Sequence, residues 1–208
     1  MAEREYVGET MRVGAPEVNQ VADPAALGLG AFALTTFLLS LTNANLLKAG
    51  DGIALPAAFL YGGITQLLAG MWEFRNNRNT FGATAFSSYG AFWLTFYWLV
   101  THIDSLTGSA ADNRVAIGAY LLAWTIFTFY MWIATFRLNG ALIAIFTFLL
   151  ATFAVLSIGE FADASGITKF GGWLGIITAF LAWYLAAAVV INHTFKRTVL
   201  PVWPVGGT

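Results

Sequence analysis

Six long apolar runs divide the chain, at residues 26–47, 53–72, 81–100, 115–136, 141–159 and 170–191. A helix needs about 20 apolar residues to cross the hydrocarbon of a bilayer. Each run meets or approaches that length. None shows the polar stripe that a helix on the surface of a soluble bundle would carry. The pattern therefore predicts an all-α integral membrane protein with six transmembrane helices. The clearest stretch is Phe59 to Tyr97. There the run FLYGGITQLLAGMW is followed by the polar hinge EFRNNRNT and then by FGATAFSSYGAFWLTFYW.

The breaks between runs carry turn residues. Asp23-Pro24 reads as a helix start, with Asp as cap and Pro at the first helical position. Lys48-Ala49-Gly50-Asp51-Gly52 reads as a turn, and Pro56 falls in the first turn of the second run, where its missing N–H does no harm. Residues 102–114 and 160–169 read as polar loops, and Arg137 to Gly140 as a tight hinge. Residues 1–22 are polar and read as an N-terminal tail, residues 23–192 as the membrane domain and residues 193–208 as a C-terminal tail. The N-terminal tail lacks the apolar core of a signal peptide.

An even number of spans puts both termini on one side. That side would hold Arg4, Arg12, Arg75, Arg78, Arg137, Lys196 and Arg197, and the other Lys48, Arg114 and Lys169. The cation excess marks the side of the termini as cytoplasmic.

Composition narrows the function. Of the 208 residues, 58% are hydrophobic and 10% charged, against about 25% charged in soluble domains. A net charge of -1 offers no basic surface for nucleic acid. With no Cys, thiol chemistry and Cys-ligated metals are excluded. No nucleotide or hydrolase motif is present, so an enzyme reading has no chemical anchor. His102 and His193 flank opposite faces and cannot share a metal. No cofactor is expected.

The run interiors lack charge near their middles, which argues against a carboxylate proton relay there. Their polar content is neutral. Thr36, Ser40 and Asn43 share one face of the first helix. Gln66 lies on the second, and Thr84 and Ser88 on the third. Such groups can replace part of the hydration shell of a small anion or polar solute. Hydroxyls in a span also bond to their own backbone or to a neighbouring helix. Gly171 and Gly175 form a small-xxx-small pair that brings helices close, within one subunit or between two. Glu73 ends the second run, where a carboxylate is electrostatically unfavourable. It calls for a partner such as Arg75, Arg78 or the start of another helix, or else stands at a pore mouth.

Several blocks resemble the acetate uptake transporter family. They are DPAALGLGAF at Asp23 to Phe32, YGGITQLLAGMWE at Tyr61 to Glu73, NTFGATAFSSYGAFWLT at Asn79 to Thr95 and FKRTVLP at Phe195 to Pro201. The blocks keep the family's order over nearly the whole chain after residue 22. Asp23 replaces the signature Asn and Ala26 its second Pro, so a negative charge stands near a mouth that would receive anions. The resemblance implies six spans around a narrow pore in each subunit, and a homo-oligomeric ring of six in the cell membrane. It implies a constriction of Phe32, Tyr89 and Leu149, with Leu150 as the alternative to the last. It also implies acetate, and succinate in some members, as substrate, with or without a co-transported proton. Thr36, Ser40, Asn43, Gln66, Thr84 and Ser88 would then hold the carboxylate. The uncharged interiors favour a channel, or a proton that moves with the acid itself. Two other readings remain open: a urea or ammonia channel, and an acetate-responsive membrane protein without flux.

Overall fold

The computed structural model describes residues 21–47, 50–76 and 79–205. These form six long helices: α1 (Ala25–Asn43), α2 (Ala54–Glu73), α3 (Thr80–Thr107), α4 (Ala110–Thr135), α5 (Gly140–Phe161) and α6 (Ser165–Phe195). Among the described residues, all but α3 are long and apolar enough to cross a membrane. α3 has 28 residues, about 42 Å at 1.5 Å per residue, so length does not limit it. Its Thr, Ser, Gly and Tyr positions dilute its hydropathy.

Several helices start where the sequence supplies a hydrogen-bonding side chain. Asp23 Oδ1 accepts from Ala25 N at 2.9 Å, and Pro24 stands just before the first helical residue. Asn79 caps α3 and Asn139 caps α5, accepting from Gly82 N at 3.0 Å and from Leu142 N at 2.9 Å. α2 is interrupted at Leu60–Thr65 by a π-helical turn, which carries the Gly62-Gly63 pair.

Two expected connections are shorter than the sequence suggested, and the last helix is longer. The loop assigned to residues 102–114 is reduced to Gly108 and Ser109. Gly108 takes φ +79 at the end of α3, and Ser109 caps α4 by accepting from Asp112 N. Asn113 secures the turn, bonding Asp104 at 2.7 Å and accepting from Thr107. The loop at 160–169 shrinks to Ala162–Ala164, because polar residues that ended the apolar run still propagate the helix. At the other end α6 runs to Phe195, past the expected limit of the membrane domain. The segment between α6 and residue 205 is tied to the helices. Gly140 N donates to Trp203 O at 2.7 Å, Val205 N to Leu138 O at 3.1 Å and Tyr184 OH to Pro201 O at 2.7 Å. This segment thus straps the α4–α5 turn to α6. Of the expected N-terminal tail, residues 1–20 lie outside the described residues, as do Lys48 and Ala49 of the expected first turn.

Each helix packs on its neighbours in the chain, and α6 closes the ring against α1. Glycines set the spacing. A Cβ on Gly172 would stand 2.7 Å from the backbone carbon of Asn43, and one on Gly90 2.6 Å from the backbone N of Leu67. Gly171 and Gly175 face Leu156 on α5 and Ser40 on α1, so the small-residue pair works within the subunit. The outside is apolar: Leu60, Ile126 and Phe180 are 58%, 63% and 57% exposed. That surface suits lipid and would be costly in water.

Gly172→Ala pushes a methyl into fixed backbone, whereas Gly30 leaves 3.4 Å to the Tyr61 hydroxyl. Overpacking of this kind costs about 1–3 kcal/mol. Thermal unfolding in detergent is expected to show a clear loss for Gly172→Ala and little change for Gly30→Ala.

Candidate functional site

The ring of helices encloses two cavities in line, separated by side chains that wall both. The first, about 150 Å³, is bounded by α1, α2, α3, α5 and α6. The second, about 130 Å³, lies further along α1, α3 and α5 and reaches α4. Phe32 on α1 and Leu149 on α5 line both. Tyr89 on α3 lines the first cavity, and its ring centroid is 5.7 Å from that of Phe32. Each cavity exceeds several-fold the ~10–15 Å³ that a single water requires.

Both cavities adjoin wider recesses. The first shares Asn139, Leu185 and Val189 with an open recess at the end holding Asp23 and His193. The second shares Asn43 and Glu160 with a polar recess at the opposite end, lined also by Arg114, Asp163 and Lys169. There Arg114 Nη2 and Asp163 Oδ2 are paired at 3.2 Å. Each space shares lining residues with the next, and Phe32 and Leu149 lie between the two inner cavities, with Tyr89 in the wall of the first.

Aromatic packing holds Tyr89 in place. Tyr89 meets Phe127 edge-on at 5.3 Å, Trp124 at 5.9 Å and Phe153 in a stack at 6.5 Å. Its hydroxyl bonds the Thr128 hydroxyl of α4 at 2.9 Å. The ring is thereby fixed from three sides, and the hydroxyl is satisfied away from the route.

The polar residues singled out in the sequence divide. Thr36, Ser40 and Asn43 line the second cavity, and Gln66 and Glu73 the first. Asp23 lies in the open recess next to the first. Thr84 and Ser88 are half-buried on α3 and line neither cavity. They sit on the flank of α3 away from the row Gly82, Ala85, Phe86, Tyr89 that faces inward. Leu149 lines both cavities and Leu150 neither. Glu73 is fully buried rather than exposed at a mouth. Its partners are the amides of Asn76 at 3.2 Å and Asn79 at 2.9 Å, beside the start of α3, while Arg75 is exposed. Arg78 lies outside the described residues.

Most other hydroxyls are spent on structure. Thr95 donates to Ala91 O at 2.8 Å, Thr65 to Leu60 O at 3.0 Å and Thr147 to Ile143 O at 2.7 Å. Thr147 also accepts from Trp132 Nε1 at 2.8 Å. Among the described residues, a few buried polar atoms have no protein partner, and four belong to cavity-lining residues: Gln66 Oε1 and Glu73 Oε1 beside the first cavity, Thr36 Oγ1 and Trp93 Nε1 beside the second. Trp93 was missed in the sequence. Its indole lies in an aromatic run where nothing distinguishes a lining ring from a packing one. Among the described residues, no three His, Asp or Glu side chains gather as a metal site.

An all-α ring with a lipid-suited exterior and two internal cavities divided by Phe32 and Leu149 defines a multi-pass membrane transporter for small solutes. The chain belongs to the GPR1/FUN34/yaaH family, whose model matches residues 7–206. It is 43% identical over 184 residues to the succinate-acetate/proton symporter SatP of Escherichia coli K12, covering 88% of this chain and 96% of that protein. It is 44% identical over 200 residues to accumulation of dyads protein 2 of Saccharomyces cerevisiae, covering 92% and 69%. A solved structure of the bacterial acetate channel SatP superposes with a TM-score of 0.81 at 42% identity, covering 88% of this chain and 99% of that one.

Tyr89→Phe leaves the Thr128 hydroxyl without its partner, which costs about 1–3 kcal/mol at a buried site. Thermal unfolding should show that loss. The double variant Tyr89→Phe/Thr128→Val should be more stable than Tyr89→Phe alone, as coupling between bonded neighbours requires.

Proposed function

We infer that this protein carries acetate across the cell membrane, and also succinate, through a route inside each subunit. The observation that bears most weight is the pair of cavities meeting at Phe32 and Leu149. An apolar pinch of this kind excludes hydrated inorganic ions by dewetting. A small carboxylate can present its methyl group to Phe32, Tyr89 and Leu149. Its charged end is then held first on one side and then on the other. On one side stands Gln66, and on the other Thr36, Ser40 and Asn43. Thr84 and Ser88 take no part in this reading because they lie off the route. The names of the SatP relative and of the solved acetate channel support the choice of substrate.

In this reading α3 spans the membrane with the other five helices, giving six spans and both termini in the cytoplasm. α3 supplies Tyr89 and stands in the closed ring, so it must cross with its neighbours. The cation excess beside the termini supports the orientation. Exposed apolar side chains, including Leu60 and Phe180, leave room for a homo-oligomeric ring, for which a hexamer is the family expectation.

The test is uptake of labelled acetate into proteoliposomes of purified protein, with pH gradient and voltage set independently and empty liposomes as the control for passive acid leak. Acetate flux above the control is expected. Phe32→Ala should raise succinate flux relative to acetate roughly tenfold, the scale on which a pocket discriminates by one or two carbon groups. Flux of urea or ammonia without acetate would overturn the substrate. Acetate binding without any flux would overturn transport.

A further inference from the structure

Glu73 ends α2 with its side chain fully buried in the wall of the first cavity. Its Oε2 accepts two hydrogen bonds, from Asn76 and Asn79. Its Oε1 has none, although a methyl group on Gly82 would stand 3.0 Å away. Both bonded partners are neutral amides, and among the described residues no Lys or Arg is paired with it. Among the described residues, the charged group acting on it is Asp23, before α1, which has the same sign. Across the cavity stand Asn139, Leu142 and Ile145 of the α5 side and Leu185 and Val189 of α6, none of which titrates.

A buried carboxylate without a cation is costly in its charged form. Two features offset that cost. The amides of Asn76 and Asn79 bind the anion, and the start of α3 next to it favours negative charge. The other form is also provided for. Gln66 lies seven residues earlier on the same face of α2, lines the same cavity, and its Oε1 is also buried without a partner. This wall therefore holds two unmet acceptors. A proton on Glu73 would place a donor between them. Both protonation states are supported by the surroundings, and the group adjoins the solute route.

We propose that Glu73 is the proton-carrying residue of this route, binding a proton from cavity water and releasing it as a carboxylate passes. The O–H bond forms on Glu73 as hydronium on one side of the membrane gives up its proton, and breaks when that proton goes to water on the opposite side. One anion and one proton then cross together, with no net charge moved. This rests on the reading of the route as a carboxylate pathway. The other carboxylate in a cavity wall is Glu160 of the second cavity, which is half-buried where that cavity meets the polar recess of Arg114 and Lys169, whereas Glu73 is fully buried; Phe32 and Leu149 between the cavities are apolar, and the second cavity's unmet atoms are the Thr36 hydroxyl and the Trp93 indole N–H.

The first test does not need transport. Infrared difference spectra of the reconstituted protein between acid and alkaline pH should contain a protonated-carboxyl band that is lost in Glu73→Gln. A band unchanged by that substitution, or no band in the unsubstituted protein, overturns the proposal. The second test uses proteoliposomes. Glu73→Gln should lose at least tenfold of the acetate accumulation driven by an inward proton gradient. Its acetate-for-acetate exchange should stay within threefold of the unsubstituted protein, and Glu73→Asp should recover part of the accumulation. Equal loss of accumulation and exchange would mark Glu73 as structural and overturn the proposal. So would Glu73→Gln accumulation equal to that of the unsubstituted protein. Acetate flux that follows voltage alone would overturn the proton role and leave acetate transport standing. No carboxylate flux in the unsubstituted protein would overturn the functional reading itself.

Discussion

Inside a bilayer a polar group has no water to fall back on, so each must find a partner within the protein. That constraint organises this molecule. Thr95, Thr147 and Thr65 return their hydroxyls to backbone carbonyls of their own helices. Ser157 donates across to the Gly118 carbonyl at 2.8 Å, joining α5 to α4. Asn192 holds the residues after α6 by accepting from Val199 N and Leu200 N and donating to Leu200 O. After these bonds, the few buried polar atoms left unmet lie mostly beside the cavities. Where the structure leaves a polar atom open, a solute or a proton has reason to visit.

The unmet groups differ in kind on the two sides of Phe32 and Leu149. Beside the first cavity they are carbonyl or carboxylate oxygens, from Gln66 and Glu73. Beside the second they include an indole N–H, which can only donate, and a hydroxyl, which can do either. A carboxylate is better received by the second side, a protonated group by the first. Phe32, Tyr89 and Leu149 stand between, and aromatic neighbours pack Tyr89 so that it cannot swing aside cheaply. Close helix packing makes this possible. Gly70 and Gly90 bring α2 and α3 together, and Gly172 and Gly175 bring α6 onto α1. The ring is tight enough that two side chains from α1 and α5 wall both cavities.

Much of this was legible in the sequence. Each of the six apolar runs falls on a long helix in the expected order, and among the described residues five of those helices are long and apolar enough to span, because in lipid length and charge decide the matter. Thr36, Ser40 and Asn43 were found by helical spacing, and they do share a cavity. Phe32, Tyr89 and Leu149 came from family blocks rather than from spacing, since an apolar residue beside a cavity looks the same in sequence as one in a core. Thr84 and Ser88 show the converse. Composition made them candidates, but a rotation of about 100° per residue carried them off the inward face of α3. Helix ends were read short at residues 102–114 and 160–169, because hydropathy falls before helical structure does. Glu73 was recognised as needing a partner. That the partners would be Asn76 and Asn79 depended on the turn geometry between α2 and α3, which hydropathy does not encode.

The central claim is that a carboxylate passes through the ring by way of both cavities. The most direct measurement is anomalous scattering from crystals of the protein soaked with bromoacetate, with bromide alone as the control. The account predicts bromine peaks in both cavities, on either side of Phe32 and Leu149, that bromide alone does not give. Peaks confined to the outer surface or to contacts between subunits would contradict it.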